Sequence, residues 1–178
     1  MPVGAASRPW QPKGLAVIFM TEMWERVSYY GMRALLVLYL VNALGYPREN
    51  ALALYGTYTG LVYVTPLIGG WIADRWLGMR LAAVIGGTIM MLGHFAMAVP
   101  SLLHVALGLL IIGNGFFKPN TSSMVGELYD DVHDPRRDGG YTIFYLGITL
   151  GATFSPFVCG TLGEKGGWHS GFAAAGAS

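Results

Sequence analysis

The chain has 178 residues, about one domain's worth. Apolar residues make up 53% before the 26 glycines are counted, and charged residues only 12%, about half the share of a soluble domain. That balance excludes a disordered chain and an ordinary soluble fold. A net charge of +1 leaves no basic footprint for nucleic acid, and the single cysteine, Cys159, cannot form an internal disulfide.

Apolar runs long enough to cross a bilayer, which takes roughly 20 residues, cover residues 14–41, 51–73, 81–99, 103–125 and 139–162. A sixth run, residues 171–178, begins after Gly166-Gly167-Trp168 and stops at the end of the sequence, so the chain reads as ending within an element. Short connections join the runs at 42–50, 74–80, 100–102 and 126–138, and no linker divides domains. Each run is continuous instead of alternating apolar and polar, which favours helices over barrel strands. The expected fold is an all-α membrane protein of five transmembrane helices plus the start of a sixth. With a cytoplasmic N-terminus, the inside segments hold Arg8, Lys13, Arg75, Arg80, Arg136 and Arg137, against Arg48 and Lys165 outside. No small-residue cleavage site follows a short apolar core, so the first run is read as a retained helix.

The first run contains Thr21-Glu22-Met23-Trp24-Glu25-Arg26-Val27-Ser28-Tyr29-Tyr30-Gly31-Met32-Arg33. At about 100° per residue, Glu22, Glu25, Arg26, Tyr29, Tyr30 and Arg33 share one helix face within an arc of roughly 140°. Four charges near mid-membrane cost about 10–14 kcal/mol in all, whereas the Leu, Ile, Phe and Val of this run return about 3–7 kcal/mol. The charged face must therefore look into a bundle or a wet cavity. An ion-pair cluster that only fixes helix packing is the bland alternative, and buried pairs are weak devices for that purpose.

A further intramembrane charge is Lys118, within Gly113-Asn114-Gly115-Phe116-Phe117-Lys118-Pro119-Asn120. Pro119 has no amide hydrogen, which predicts a kink beside the lysine, while Gly113 and Gly115 admit close approach of another helix. The ammonium needs a carboxylate, and Glu22 and Glu25 are the acidic residues within the runs. Snorkelling to the membrane surface is the alternative.

Together these residues carry a resemblance. Glu22-x-x-Glu25-Arg26-x-x-Tyr29-Tyr30-Gly31 resembles the first-helix signature of the proton-dependent oligopeptide transporters, a branch of the major facilitator superfamily. Gly69-Gly70-Trp71-Ile72-Ala73-Asp74-Arg75-Trp76-Leu77-Gly78-Met79-Arg80 is similar to the superfamily's loop motif between helices two and three. The Gly113–Asn120 stretch and Phe144-Tyr145-Leu146-Gly147-Ile148-Thr149-Leu150-Gly151-Ala152 resemble the fourth- and fifth-helix patterns. Two positions depart from the family pattern. Val27 stands in place of Phe, and Thr149 stands in place of Asn, with a hydroxyl that lacks the amide's reach.

The resemblance implies a cytoplasmic segment at 1–13 and, over 14–178, a truncated N-terminal six-helix bundle of a major-facilitator fold whose C-terminal bundle is missing. It implies symport of di- and tripeptides with protons by alternating access, without cofactor or metal, in a bacterial inner membrane. Glu22, Glu25, Arg26 and Lys118 are expected to couple protons. Arg33 and Lys118 are expected near the peptide carboxylate, Tyr29, Tyr30 and Tyr63 near its backbone, with Thr149 as a further contact. Gly70, Asp74, Arg75, Gly78 and Arg80 form the expected gating loop.

Another solute such as nitrate on the same scaffold, or a non-transporting assembly partner, is the rival reading. An intramembrane hydrolase is disfavoured because Ser28, Ser122 and Ser155 lack a Gly-x-Ser-x-Gly context. Residues 127–134 lack the central glycine and terminal glutamate of a calcium loop. His94 and His104 stand outside any ligand cluster. Gly56-x-x-x-Gly60 and Gly147-x-x-x-Gly151 are read as close helix contacts.

Overall fold

The computed structural model describes residues 10–166. Its helices are α1 (Lys13–Asn42), α2 (Arg48–Ile72), α3 (Met79–Ala96), α4 (Leu103–Glu127) and α5 (Arg136–Gly166), and no strand occurs among the described residues. The run at 171–178 lies outside them. Among the described residues four segments, Arg48–Leu77, Met79–Ala96, Pro100–Glu127 and Arg136–Cys159, are long and apolar enough to cross a membrane. α1 has 30 residues, about 45 Å of rise, and owes its weaker apolar signal to the charges at its middle.

Local chemistry sets the helix ends. Pro12 and Pro47 precede α1 and α2, where a missing amide hydrogen costs nothing. Gly45, at φ +69°, turns the chain between them as the Tyr46 amide donates to the Leu40 carbonyl at 2.9 Å. The expected loop at 74–80 is largely absent. A π-helical turn over Ala73–Leu77 carries α2 onward, and only Gly78 interrupts the helical course into α3. Gly78 sits at φ +76° and ψ 150°, a conformation essentially reserved for glycine, and donates its amide to the Ala73 carbonyl at 2.7 Å. Asp74 and Arg75 lower hydropathy without opposing helix, so a break in the apolar run is not a break in the backbone. For the same reason α4 runs to Glu127 and α5 starts at Arg136, which shortens the connection expected at 126–138.

α4 is the packing centre, flanked by α3 and α2, while α1 pairs with α5. Glycine permits each close approach. A Cβ on Gly86 of α3 would lie 2.7 Å from the Gly113 carbonyl oxygen, and a Cβ on Gly113 would lie 2.7 Å from the Gly86 carbonyl oxygen. On the α2 side, Gly69 lies against the Gly115 carbonyl, the one left without an intrahelical donor by Pro119. Thr65 donates its hydroxyl to the Ile111 carbonyl at 3.0 Å beside it. α1 and α5 meet at Gly147 on Phe19, Gly151 on Met23 and Arg26, and Gly31 on Cys159 and Ser155. The Ser155 hydroxyl donates to the Val27 carbonyl at 2.6 Å.

The contact expected at Gly56-x-x-x-Gly60 is not made among the described residues. A Cβ at either glycine would meet none of them within 4 Å, because α2 packs through Tyr58, Val62, Thr65 and Gly69 and these two glycines lie on the opposite side. Small-residue spacing marks a ridge but not the face that is used.

Candidate functional site

The charged face of α1 is turned inward. Glu22, Glu25 and Arg26 are 1%, 8% and 3% exposed, a degree of burial that two carboxylates reach only when they are paired and hydrogen-bonded. The Arg26 guanidinium donates to Glu25, and its Nε lies 3.6 Å from Glu22 Oε1. It also packs over the rings of Tyr29 and Tyr30, at 4.9 and 5.8 Å from their centroids.

α4 answers this face with three side chains in one stripe, at positions i−4, i and i+3 around the lysine. Lys118 Nζ lies 3.9 Å from Glu22 Oε1. Asn114 Nδ2 reaches Glu25 Oε1 at 3.5 Å, and the Thr121 hydroxyl donates to Glu22 Oε2 at 3.0 Å. Of the two carboxylates expected to receive Lys118, the structure places Glu22 in the ion pair. Asn114 and Thr121 escaped sequence reasoning, although their spacing from Lys118 puts them on its face and so carried the signal.

Arg33 sits two turns along α1. Its Nε donates to the Tyr55 hydroxyl at 2.8 Å, and the guanidinium lies 5.4 Å from the Tyr55 ring centroid and 5.5 Å from that of Tyr29. Among the described residues it forms no ion pair. Tyr55, on α2, is a site neighbour that nothing in its spacing distinguishes from the other tyrosines of that helix.

A cleft of about 300 Å³ opens beside the charges, lined by Arg26, Tyr29, Tyr30, Tyr63, Asn114 and Lys118 together with Val62, Pro66, Pro119 and Ser122. Tyr63 is 69% exposed at its margin. Arg33 lies outside the lining. So does Thr149, which is exposed on α5 and donates its hydroxyl to the Tyr145 carbonyl at 3.0 Å. Of the loop motif, Gly70 packs against Pro119 where a Cβ would find ordinary room at 3.4 Å. Asp74, Arg75 and Arg80 are exposed and form no ion pair among the described residues, and Gly78 makes the turn. Among the described residues no group of three His, Cys, Asp or Glu side chains is placed to hold a metal ion.

The arrangement has chemical content. Two carboxylates share two cations in a desolvated space, so a proton added to either removes attraction at several contacts together. Hydroxyls and cations border an adjacent opening, a set suited to a zwitterionic or anionic ligand.

Comparison with known proteins agrees in fold and sequence. The model of the POT family (PTR2) matches residues 80–178. The chain is 48% identical over 172 residues to the uncharacterized transporter YclF of Bacillus subtilis (strain 168), covering 92% of this chain and 35% of that protein. It is 48% identical over 175 residues to a di-/tripeptide transporter of Lactococcus lactis subsp. lactis (strain IL1403), covering 93% and 35%. A crystal structure of the peptide transporter POT in complex with sulfate matches with a TM-score of 0.90 at 46% identity, again over 93% of this chain and 35% of that one. The chain thus spans about a third of the length of the curated relatives it matches. An all-α bundle of membrane-spanning helices, matched by the family model over more than half of its residues, makes this integral membrane protein a member of the POT family.

Proposed function

We propose that this chain forms the N-terminal helix bundle of a proton-coupled symporter of di- and tripeptides that works by alternating access. The observation that carries the reading is Glu22, buried and shared between Arg26 of its own helix and Lys118 of α4, two cations that themselves line a tyrosine-bearing cleft. When Glu22 is ionised it holds Lys118 and draws α1 to α4. When it is protonated the ammonium is released, and α1 and α4 are free to rearrange around the ligand. Glu25 and Arg26 complete the charge balance.

In this reading Tyr29, Tyr30, Tyr63 and Lys118 contact the peptide from the cleft. Arg33 reaches its carboxylate from farther along α1, and Thr149 contributes from the exposed face of α5. Residues 1–13 and the segments at 74–80 and 126–138 face the cytoplasm, 42–50 faces outside, and the bundle extends over 14–178 against a second bundle. Gly70, Asp74, Arg75, Gly78 and Arg80 then stand at the cytoplasmic rim, where exposed and unpaired charges are available to a moving partner bundle.

The test is Lys118→Gln in the full-length transporter reconstituted into vesicles. Uptake of labelled dipeptide driven by an imposed pH gradient should be lost, while exchange of peptide across the membrane without net proton flow persists. Survival of driven uptake would remove Lys118 from coupling and overturn the reading.

A further inference from the structure

Glu22 Oε1 receives both cations, Arg26 at 3.6 Å and Lys118 at 3.9 Å. Oε2 has a different partner, and among the described residues it is Thr121, whose hydroxyl lies 3.0 Å away. The same hydroxyl is 3.2 Å from the carbonyl oxygen of Lys118. Thr121 is 4% exposed, so both contacts are shielded from bulk water.

A hydroxyl has one proton to give and lone pairs to receive with. Facing an ionised Glu22, Thr121 gives its proton to Oε2. Once Glu22 is protonated, the carboxyl proton can be donated to the Thr121 oxygen, and the hydroxyl proton turns to the Lys118 carbonyl. Rotation about a single side-chain bond accomplishes the exchange, with no movement of either helix. A valine of the same shape would leave Oε2 unsatisfied in both states, and the loss would fall harder on the ionised form, whose hydrogen bonds are about twice as strong.

We propose that Thr121 is a positioning residue for Glu22, keeping its carboxyl hydrogen-bonded in both protonation states and setting the pH at which the site loads. The inference rests on the proton-coupling reading above and adds to it a group that no charge-based argument selects. The other groups facing Glu22 are Glu25 and Arg26 on α1 and Lys118 on α4. α5 meets this part of α1 through Gly147 and Gly151, which bring no titratable group.

The experiment uses the full-length transporter in vesicles, with two readouts. Infrared difference spectroscopy follows the protonated-carboxyl band of Glu22 through a pH titration, with Glu22→Gln identifying the band. Gradient-driven dipeptide uptake is measured over the same pH range. Thr121→Val and Thr121→Ala should each move the carboxyl midpoint to higher pH by about 0.5–1 unit, the difference between losing a hydrogen bond to the charged form and losing one to the neutral form. Thr121→Ser should restore the original midpoint. An unmoved midpoint in both hydroxyl-free variants, or a serine variant that behaves like valine, overturns the proposal. A shifted midpoint in a protein whose unmutated form shows no gradient-driven uptake would uphold the role of Thr121 and refute the symport reading, so the two failures are distinct.

Discussion

Every α4 group at the site depends on where α4 sits, and α4 is seated on α3 through backbone contact at Gly86. A Cβ added there would lie 2.6 Å from the Phe117 amide nitrogen, 2.7 Å from the Gly113 carbonyl oxygen and 3.0 Å from Phe116 Cβ, whereas ordinary contact starts at 3.4 Å. The two nearest atoms are backbone and cannot swing aside, so Gly86→Ala must part the helices by about 0.8 Å to restore ordinary contact with the nearer of them. Overpacking of this kind costs about 1–3 kcal/mol. Gly87→Ala is the matched control. Its Cβ would meet the Phe117 ring at 3.7 Å, an ordinary contact, and the gain in helix propensity is common to both variants and cancels. The assay is thermal unfolding of the purified protein in detergent, with the two variants side by side. Gly86→Ala should melt clearly below Gly87→Ala, and Gly87→Ala should melt at or above the unmutated protein. Equal midpoints for the two variants would refute backbone contact between α3 and α4 at this position, and with it the account of how α4 is held.

Two further outcomes test other parts of the reading. Single cysteines introduced at Arg48 and Arg75, with Cys159 replaced, should label from opposite sides of the membrane under an impermeant reagent; labelling from one side would refute the proposed topology. Arg33→Lys should weaken binding of dipeptides with a free C-terminus about tenfold more than binding of their C-terminal amides, because a lysine lacks the planar fork that grips a carboxylate. Equal losses would assign Arg33 to holding α1 against α2 through Tyr55, its hydroxyl partner at 2.8 Å.

What the sequence makes legible is governed by cost. Charges inside an apolar run are so expensive that their direction follows from their presence, which is why Glu22, Glu25 and Arg26 could be placed in the interior from spacing alone. Gly113 and Gly115 were likewise readable beside Pro119, since small residues next to a broken backbone ladder have few uses except close approach. Features that depend on the register between helices were not readable. Gly56 and Gly60 have the spacing of a contact ridge, yet α2 presents the face of Tyr58 and Val62 to its neighbours instead. Tyr55 became a partner of Arg33 only through the way α2 crosses α1. Asp74 and Arg75 marked an end of hydrophobicity that the helix does not obey, because a π turn continues until Gly78 supplies a conformation that other residues resist.

The distribution of contacts gives the site its leverage. α1 packs extensively on α5, and α4 on α2 and α3, while α1 and α4 approach each other at few positions. Around mid-span the two helices are joined by polar contacts, Glu22 with Lys118 and Thr121, and Glu25 with Asn114. Apolar packing has the same energy whether or not a proton arrives, so in the proposed cycle it keeps each helix group intact. A carboxylate held between two cations in a desolvated seam behaves differently, because one proton cancels its attraction to Lys118 and Arg26 together while the hydroxyl of Thr121 keeps the neutral acid satisfied. A bundle that places its titratable contacts where its apolar contacts are fewest makes the α1–α4 seam the part whose stability responds most to protonation, and the cleft lined from both helices lies along that seam.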